Sequence, residues 1–265
     1  MPNQPRCNPR ITRSKSNLIA TAVALSLSGL LLTACGGGGS NDSEKTVSQS
    51  VPPVLETSRS TQPSVAPTDP AAVIEQSSRT TRMMNSVHIA LVVDESIDSL
   101  PIQQIDGDVT NSPVVGAQGA GEFRINSNLT ASDFIVANGN LYTRGEGADG
   151  YTNLGPAQRI YDPAIILDKD KGLANVIARV QNPTVVGTEE VNGVEAIKIE
   201  GTIASTELKP ILPEVDKTGT ELPITLWVTA EAPYNLVQMT VEVSGGEVNI
   251  VTSKWQEPVT VASPE

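Results

Sequence analysis

Between Val87 and Ile250 apolar residues return at every second position in six separate segments: Val87, Ile89, Leu91 and Val93; Gly121, Phe123 and Ile125; Ile197, Ile199 and Ile203; Ile224, Leu226 and Val228; Val237, Met239, Val241 and Val243; Val248 and Ile250. Polar residues fill the positions between them. That alternation gives each segment one dry face and one wet face, the signature of strands in an antiparallel sheet buried on one side. Two stretches carry a helical period instead. "TDPAAVIEQSSRTTRMM" starts with Asp69 as an N-cap before Pro70 and places Ile74, Ser77, Ser78, Thr81 and Met84 at helical spacing. "IYDPAIILDKDKGLANVIARV" repeats the Asp-Pro start at Asp162 and Pro163, then sets Leu173, Val176, Ile177 and Val180 on one stripe, with the polar "DKDKG" a hinge between two helical pieces. Strands outnumber helices, so the helices must cover one face of the sheet. The expected class is α+β, a curved antiparallel sheet packed over a few α-helices.

The chain begins differently. Arg6, Arg10, Arg13 and Lys15 stand without an acidic neighbour, and Leu18 to Ala34 is an apolar run of Ala, Leu and Ser that ends in "LTACGGGGS". Basic residues, a short apolar run and small residues before a cut describe a signal peptide over 1–34. At about 17 residues the run also reaches the bottom of the membrane-spanning range. It thins to Thr33 and Ala34 and meets a glycine tract, where a span keeps bulky residues and basic flanks. Leu32, Thr33, Ala34 and Cys35 resemble the lipobox of bacterial lipoproteins, which implies a diacylglycerol thioether on Cys35 and cleavage just before it. The alternative is ordinary secretion with a free thiol. Residues 35–69 are Gly, Ser, Thr, Pro and Gln with isolated charges and no apolar period, the composition of a disordered tether. A coil of that length holds a domain on the order of 30 Å from its anchor. Residues 70–265 suffice for one domain.

Charge narrows the partners. Removing residues 1–34 takes four of the 18 Lys and Arg and none of the 30 Asp and Glu, which leaves a net charge of −16. Such a surface repels nucleic acid and anionic headgroups, so no nucleic-acid partner is expected and membrane attachment falls to the acyl chains. Catalytic and metal chemistry is thinly supplied, with His88 the one histidine; neither an enzyme nor a cofactor or metal site is expected. His88 falls on the polar face of its segment and reads as a surface histidine. "GEGADG" at 145–150 matches a dinucleotide-binding glycine pattern letter for letter, yet it joins two strand-like pieces with no helix to follow and carries Glu146 and Asp149, which repel a pyrophosphate; it reads as a hairpin loop. "DKDKG" starts like a calcium loop, but its glycine comes one position early and Arg179 stands where the bidentate Glu belongs.

"FIVANGNLYTR", "YTNLGPAQRIYDPAIILDKDKGLANVIARVQNPTVVG", "KIEGTI", "LPITLWV" and "SKWQEPV" together resemble the mycobacterial lipoprotein family of LppX, LprA, LprF and LprG, over about Val73 to Val261. The "DKDKG" and "LPITLWV" wording is most similar to the LprF group. The resemblance implies a strongly curved half-barrel, related in architecture to the LolA and LolB carriers, and an apolar cavity between sheet and helices that takes acyl chains of envelope glycolipids. It implies Gly121, Phe123, Ile125, Ile197, Ile199, Leu226, Val228, Met239, Val241, Leu173 and Ile177 as candidate lining residues.

The residues themselves are compatible with such a cavity and equally with a close-packed core, since aromatics make up 3% of the chain. Gly121 reads either as a gap left beside Phe123 and Ile125 or as a bend in a curved strand. Burying a chain of about 16 carbons removes roughly 13 kcal/mol of apolar surface from water. A lipid that starts in a bilayer is already dry, so a pocket only matches the bilayer, which suits reversible carriage.

Two functions follow. One is a carrier, anchored on the extracytoplasmic face of the cell membrane, that moves diacylated or triacylated glycolipids of phosphatidylinositol mannoside or lipoglycan type across the envelope, with a lipid exporter as a possible partner. The other is an anchored binding or signalling module acting on a membrane sensor kinase. A hydrolase has no base and nucleophile pair to support it.

Overall fold

The computed structural model describes residues 69–125, 128–215 and 219–264. Asp69 caps the first helix, α1 (Pro70–Arg82), by accepting a hydrogen bond from the Ala71 N–H at 3.0 Å. Six strands follow: β1 (Ser86–Val93), β2 (Ile102–Thr110), β3 (Gly116–Ile125), β4 (Asn128–Ala137), β5 (Asn140–Gly145) and β6 (Thr152–Pro156). A connecting stretch then carries two 3-10 turns, Ala157–Arg159 and Pro163–Leu167, and the short helix α2 (Leu173–Ala178). Next come β7 (Gln181–Val191), β8 (Val194–Ala204), a single turn α3 (Ser205–Leu208), β9 (Glu221–Thr229), β10 (Leu236–Val243) and β11 (Gly246–Ser253).

All eleven strands form one sheet in the order β6-β5-β4-β3-β2-β1-β11-β10-β9-β8-β7, and every pairing in it is antiparallel. β1 lies beside β11, so the first and last strands meet in the middle and two meanders run outward from them. β6 and β7 each pair with one neighbour, so the sheet is unclosed. Because those edge strands are consecutive in sequence, residues 157–180 must return from one edge to the other. They do so with their apolar side chains buried in the core: Ala157, Tyr161, Ala164, Ile166, Leu167, Leu173, Val176 and Ile177.

Across the sheet the inward positions line up. Ile199 pairs with Leu226, Leu226 with Met239, Met239 with Ile250, Ile250 with Leu91, Leu91 with Ile105, and Ile105 with Gly121. This row crosses β8, β9, β10, β11, β1, β2 and β3, an arc of about 29 Å at roughly 4.8 Å per strand spacing. Its side chains belong to one continuous buried cluster.

The alternating segments form strands as read, and "GEGADG" starts on the last residue of β5 and continues as the loop before β6. The "DKDKG" hinge is also present: Pro163–Leu167 and Leu173–Ala178 are separated by a turn in which Asp168 Oδ1 accepts from the N–H groups of Asp170 (2.9 Å) and Lys171 (2.8 Å).

Candidate functional site

The inner face of the sheet and the segments packed on it form the candidate site. Phe123, Ile197, Ile199, Leu226, Val228, Met239, Val241, Leu173 and Ile177 all belong to the single buried cluster. Ile125 is the last residue of β3; its side chain lies outside the described residues, as do Cys35 and the whole of residues 1–68.

Of the two readings of Gly121, a gap and a bend, the gap is closed. A Cβ there would stand 2.8 Å from the Gln104 carbonyl oxygen and 3.1 and 3.2 Å from ring carbons of Phe123. The backbone of β2 and the Phe123 ring take up the space a side chain would need. Phe123 in turn meets the chain's other phenylalanine, Phe134, edge to face at 5.7 Å and 80°.

The cover over the inner face is held by side-chain bonds to backbone. The Tyr161 hydroxyl donates to the Ile211 carbonyl at 3.0 Å, joining the segment after β6 to the one after α3; burial pushes its phenol well above the ordinary range. Ser78 donates to the Ala174 carbonyl at 2.8 Å, joining α1 to α2. Asp162, the cap of the 3-10 turn, accepts from the Ala164 N–H at 3.1 Å, and burial pushes its carboxyl up against the opposite pull of that bond.

The outer face is polar. Gln104, Asp106, Glu122, Asp133, Arg144 and Glu146 are among the residues lining a groove of ≈ 580 Å³ over β2 to β5. Arg144 pairs with Asp133 at 2.6 Å and lies over the Tyr151 ring at 4.8 Å. His88 is no plain surface histidine, because its Nδ1 is 2.7 Å from Asp108 Oδ1 and its Nε2 is 3.6 Å from Asp106 Oδ1. The signal lies in the spacing of Asp106 and Asp108, which alternate outward on the neighbouring strand β2. Among the described residues no group of three or more His, Cys, Asp or Glu could hold a metal ion, and no helix is long and apolar enough to cross a membrane.

Residues 69–261 match the LppX_LprAFG lipoprotein family. The chain belongs to this family. It is 39% identical over 202 residues to a Mycobacterium tuberculosis protein named putative diacylated glycolipid transporter LprF, covering 72% of this chain and 76% of the relative. It is 36% identical to the lipoarabinomannan carrier protein LprG of Mycolicibacterium smegmatis, covering 74% and 83%. Two solved family structures share the fold: LprF from Mycobacterium bovis, with TM-score 0.65, 38% identity and coverage of 73% of this chain and 95% of that one, and Mycobacterium tuberculosis LppX, with TM-score 0.56, 27% identity and coverage of 72% and 97%.

Proposed function

We propose that this chain is a lipid-anchored carrier that takes acyl chains of diacylated or triacylated glycolipids between its curved sheet and the segments covering it, and moves them across the cell envelope. The observation that carries the reading is the row from Ile199 to Gly121. It is a continuous apolar inner face on an unclosed sheet, covered by short helices and turns instead of a second full layer, in a family whose LprF and LprG members are named as transporter and carrier. The cover consists of short separate segments, so it can part from the sheet piece by piece, where a second sheet would have to break its ladder as a unit. The chain that enters exchanges one apolar surrounding for another, so loading and release are both accessible.

In this reading Cys35 carries the acyl anchor, residues 36–69 are the tether, and the domain works on the extracytoplasmic face of the cell membrane without catalysis. The glycolipid head, of phosphatidylinositol mannoside or lipoglycan type, stays outside. The test is organic extraction of the purified protein followed by mass spectrometry. Glycolipid at near-stoichiometric amounts is expected, and a protein that remains lipid-free after exposure to envelope lipids overturns the carrier. A second reading makes the domain an anchored module acting on a membrane sensor kinase, with the outer groove over β2 to β5 as the face it would present. That reading predicts a stable complex with the kinase whether or not lipid is bound.

A further inference from the structure

α1 buries Val73, Ile74, Ser77, Ser78 and Thr81. On a helical projection at 100° per residue, Ser77 and Thr81 occupy the centre of that stripe, with Val73 and Ile74 to either side. Ser77 is 0% exposed and Thr81 5%, and among the described residues neither hydroxyl has a hydrogen-bond partner. Their neighbour Ser78, at the edge of the stripe, does have one, in the Ala174 carbonyl. The middle of an apolar interface is the least favourable place for an unpaired hydroxyl, which loses its water and gains nothing. Alanine would serve the helix better there on propensity alone. Neither residue turns its hydroxyl back to the carbonyl four positions earlier, the usual local remedy.

We propose that Ser77 and Thr81 form a hydrogen-bonding subsite for the ester carbonyls of a diacyl lipid, resting on the carrier reading above. Being one turn apart, the two side chains present donors about 5 to 6 Å from each other at Cβ. Two esters on adjacent carbons of a glycerol backbone offer acceptors at comparable separation. The chains then run along the apolar row, while the two hydroxyls fix how far the lipid enters. An ester carbonyl only accepts, and a hydroxyl donates to it without any charge being buried. The subsite therefore selects ester-linked over ether-linked lipid, which an apolar cavity alone cannot do.

The experiment compares dipalmitoyl phosphatidylinositol with its di-O-hexadecyl ether analogue, each offered in phosphatidylcholine vesicles to the full chain carrying Cys35→Ser, so that the protein's own anchor does not contribute. Protein-bound lipid is quantified after the vesicles are removed. The expected result is a preference of about tenfold for the ester lipid, the effect of one to two neutral hydrogen bonds. Ser77→Ala with Thr81→Val should abolish the preference by lowering ester binding more than ether binding, and keep or raise the thermal midpoint. Thr81→Ser, which keeps the donor, should retain the preference and guards against a double variant that folds poorly. Equal binding of the two lipids by the parent overturns the subsite alone, and is also what hydroxyls serving only a buried water would give. A double variant that keeps the preference overturns it too. Binding of neither lipid overturns the carrier reading and the subsite together.

Discussion

Gly107 on β2 and Gly119 on β3 face each other across the sheet, so close that a Cβ on Gly107 would stand 2.4 Å from the Gln118 carbonyl oxygen and one on Gly119 would stand 2.2 Å from that of Asp106. Real Cβ atoms do not approach backbone this way, so the pair permits a bend that no other residue type would allow. With Gly121 it makes β2 and β3 the tight corner of the sheet.

Gly119→Ala should therefore destabilise the domain by about 1 to 3 kcal/mol, the usual range for forced backbone shifts in a packed interior. Chemical denaturation reads the effect. Alanine at the exposed Gly147, where a Cβ would meet no described residue within 4 Å beyond its chain neighbours but φ is +75°, should cost less, because only local backbone strain opposes it. Equal midpoints for Gly119→Ala and the parent would mean that the strands relax freely at this corner.

Phe123→Ala removes one of the largest fully buried side chains and the edge-to-face partner of Phe134. A loss of about 3 to 5 kcal/mol is expected. A markedly smaller loss, measured the same way, would show that the covering segments collapse into the space.

Asp162→Ala should cost about 1 kcal/mol at neutral pH through the lost cap. The pH dependence has a definite sign. Burial raises the native carboxyl above its ordinary 3.8, so the folded chain holds this proton more tightly than the unfolded chain does. Stability contributed by the residue is present below 3.8, falls as pH rises through the window up to the native value, and is level above it. Asp162→Asn keeps an acceptor for the cap and should remove that slope. Unfolding midpoints from about pH 3.5 to 7 check it, and an unchanged slope would assign the dependence to other groups.

Cys35→Ala should abolish acylation and release the protein from membranes, since an acidic chain has no electrostatic affinity for an anionic bilayer. Membrane pelleting together with intact mass reads both effects. A variant that still pellets and still carries an acyl mass would refute the anchor.

The local code was legible wherever one physical requirement dominated. Val87 to Val93 alternate because one face of β1 is dry; Asp69 with Pro70 and Asp162 with Pro163 start their turns because a capping oxygen and a fixed φ act within a few residues. The LppX_LprAFG resemblance was likewise carried by contiguous words of sequence. β2 carries no clear period in sequence, because a register shift between Ile102 and Gln104 breaks its alternation and Gly107 takes the place of an apolar residue, for a reason that lies on the neighbouring strand. β7 likewise shows none, because an edge strand exposed on nearly all its residues, Val185 and Val186 included, has no dry face to impose a period. Sequence spacing placed Ser77 and Thr81 on a helix, but not unpaired at the centre of its buried stripe. Periodicity, caps and turns are local and were determined by the sequence itself. Which strand lies beside which, how sharply the sheet bends and which polar atoms find partners depend on contacts between residues far apart in the chain, and only the tertiary structure decides those.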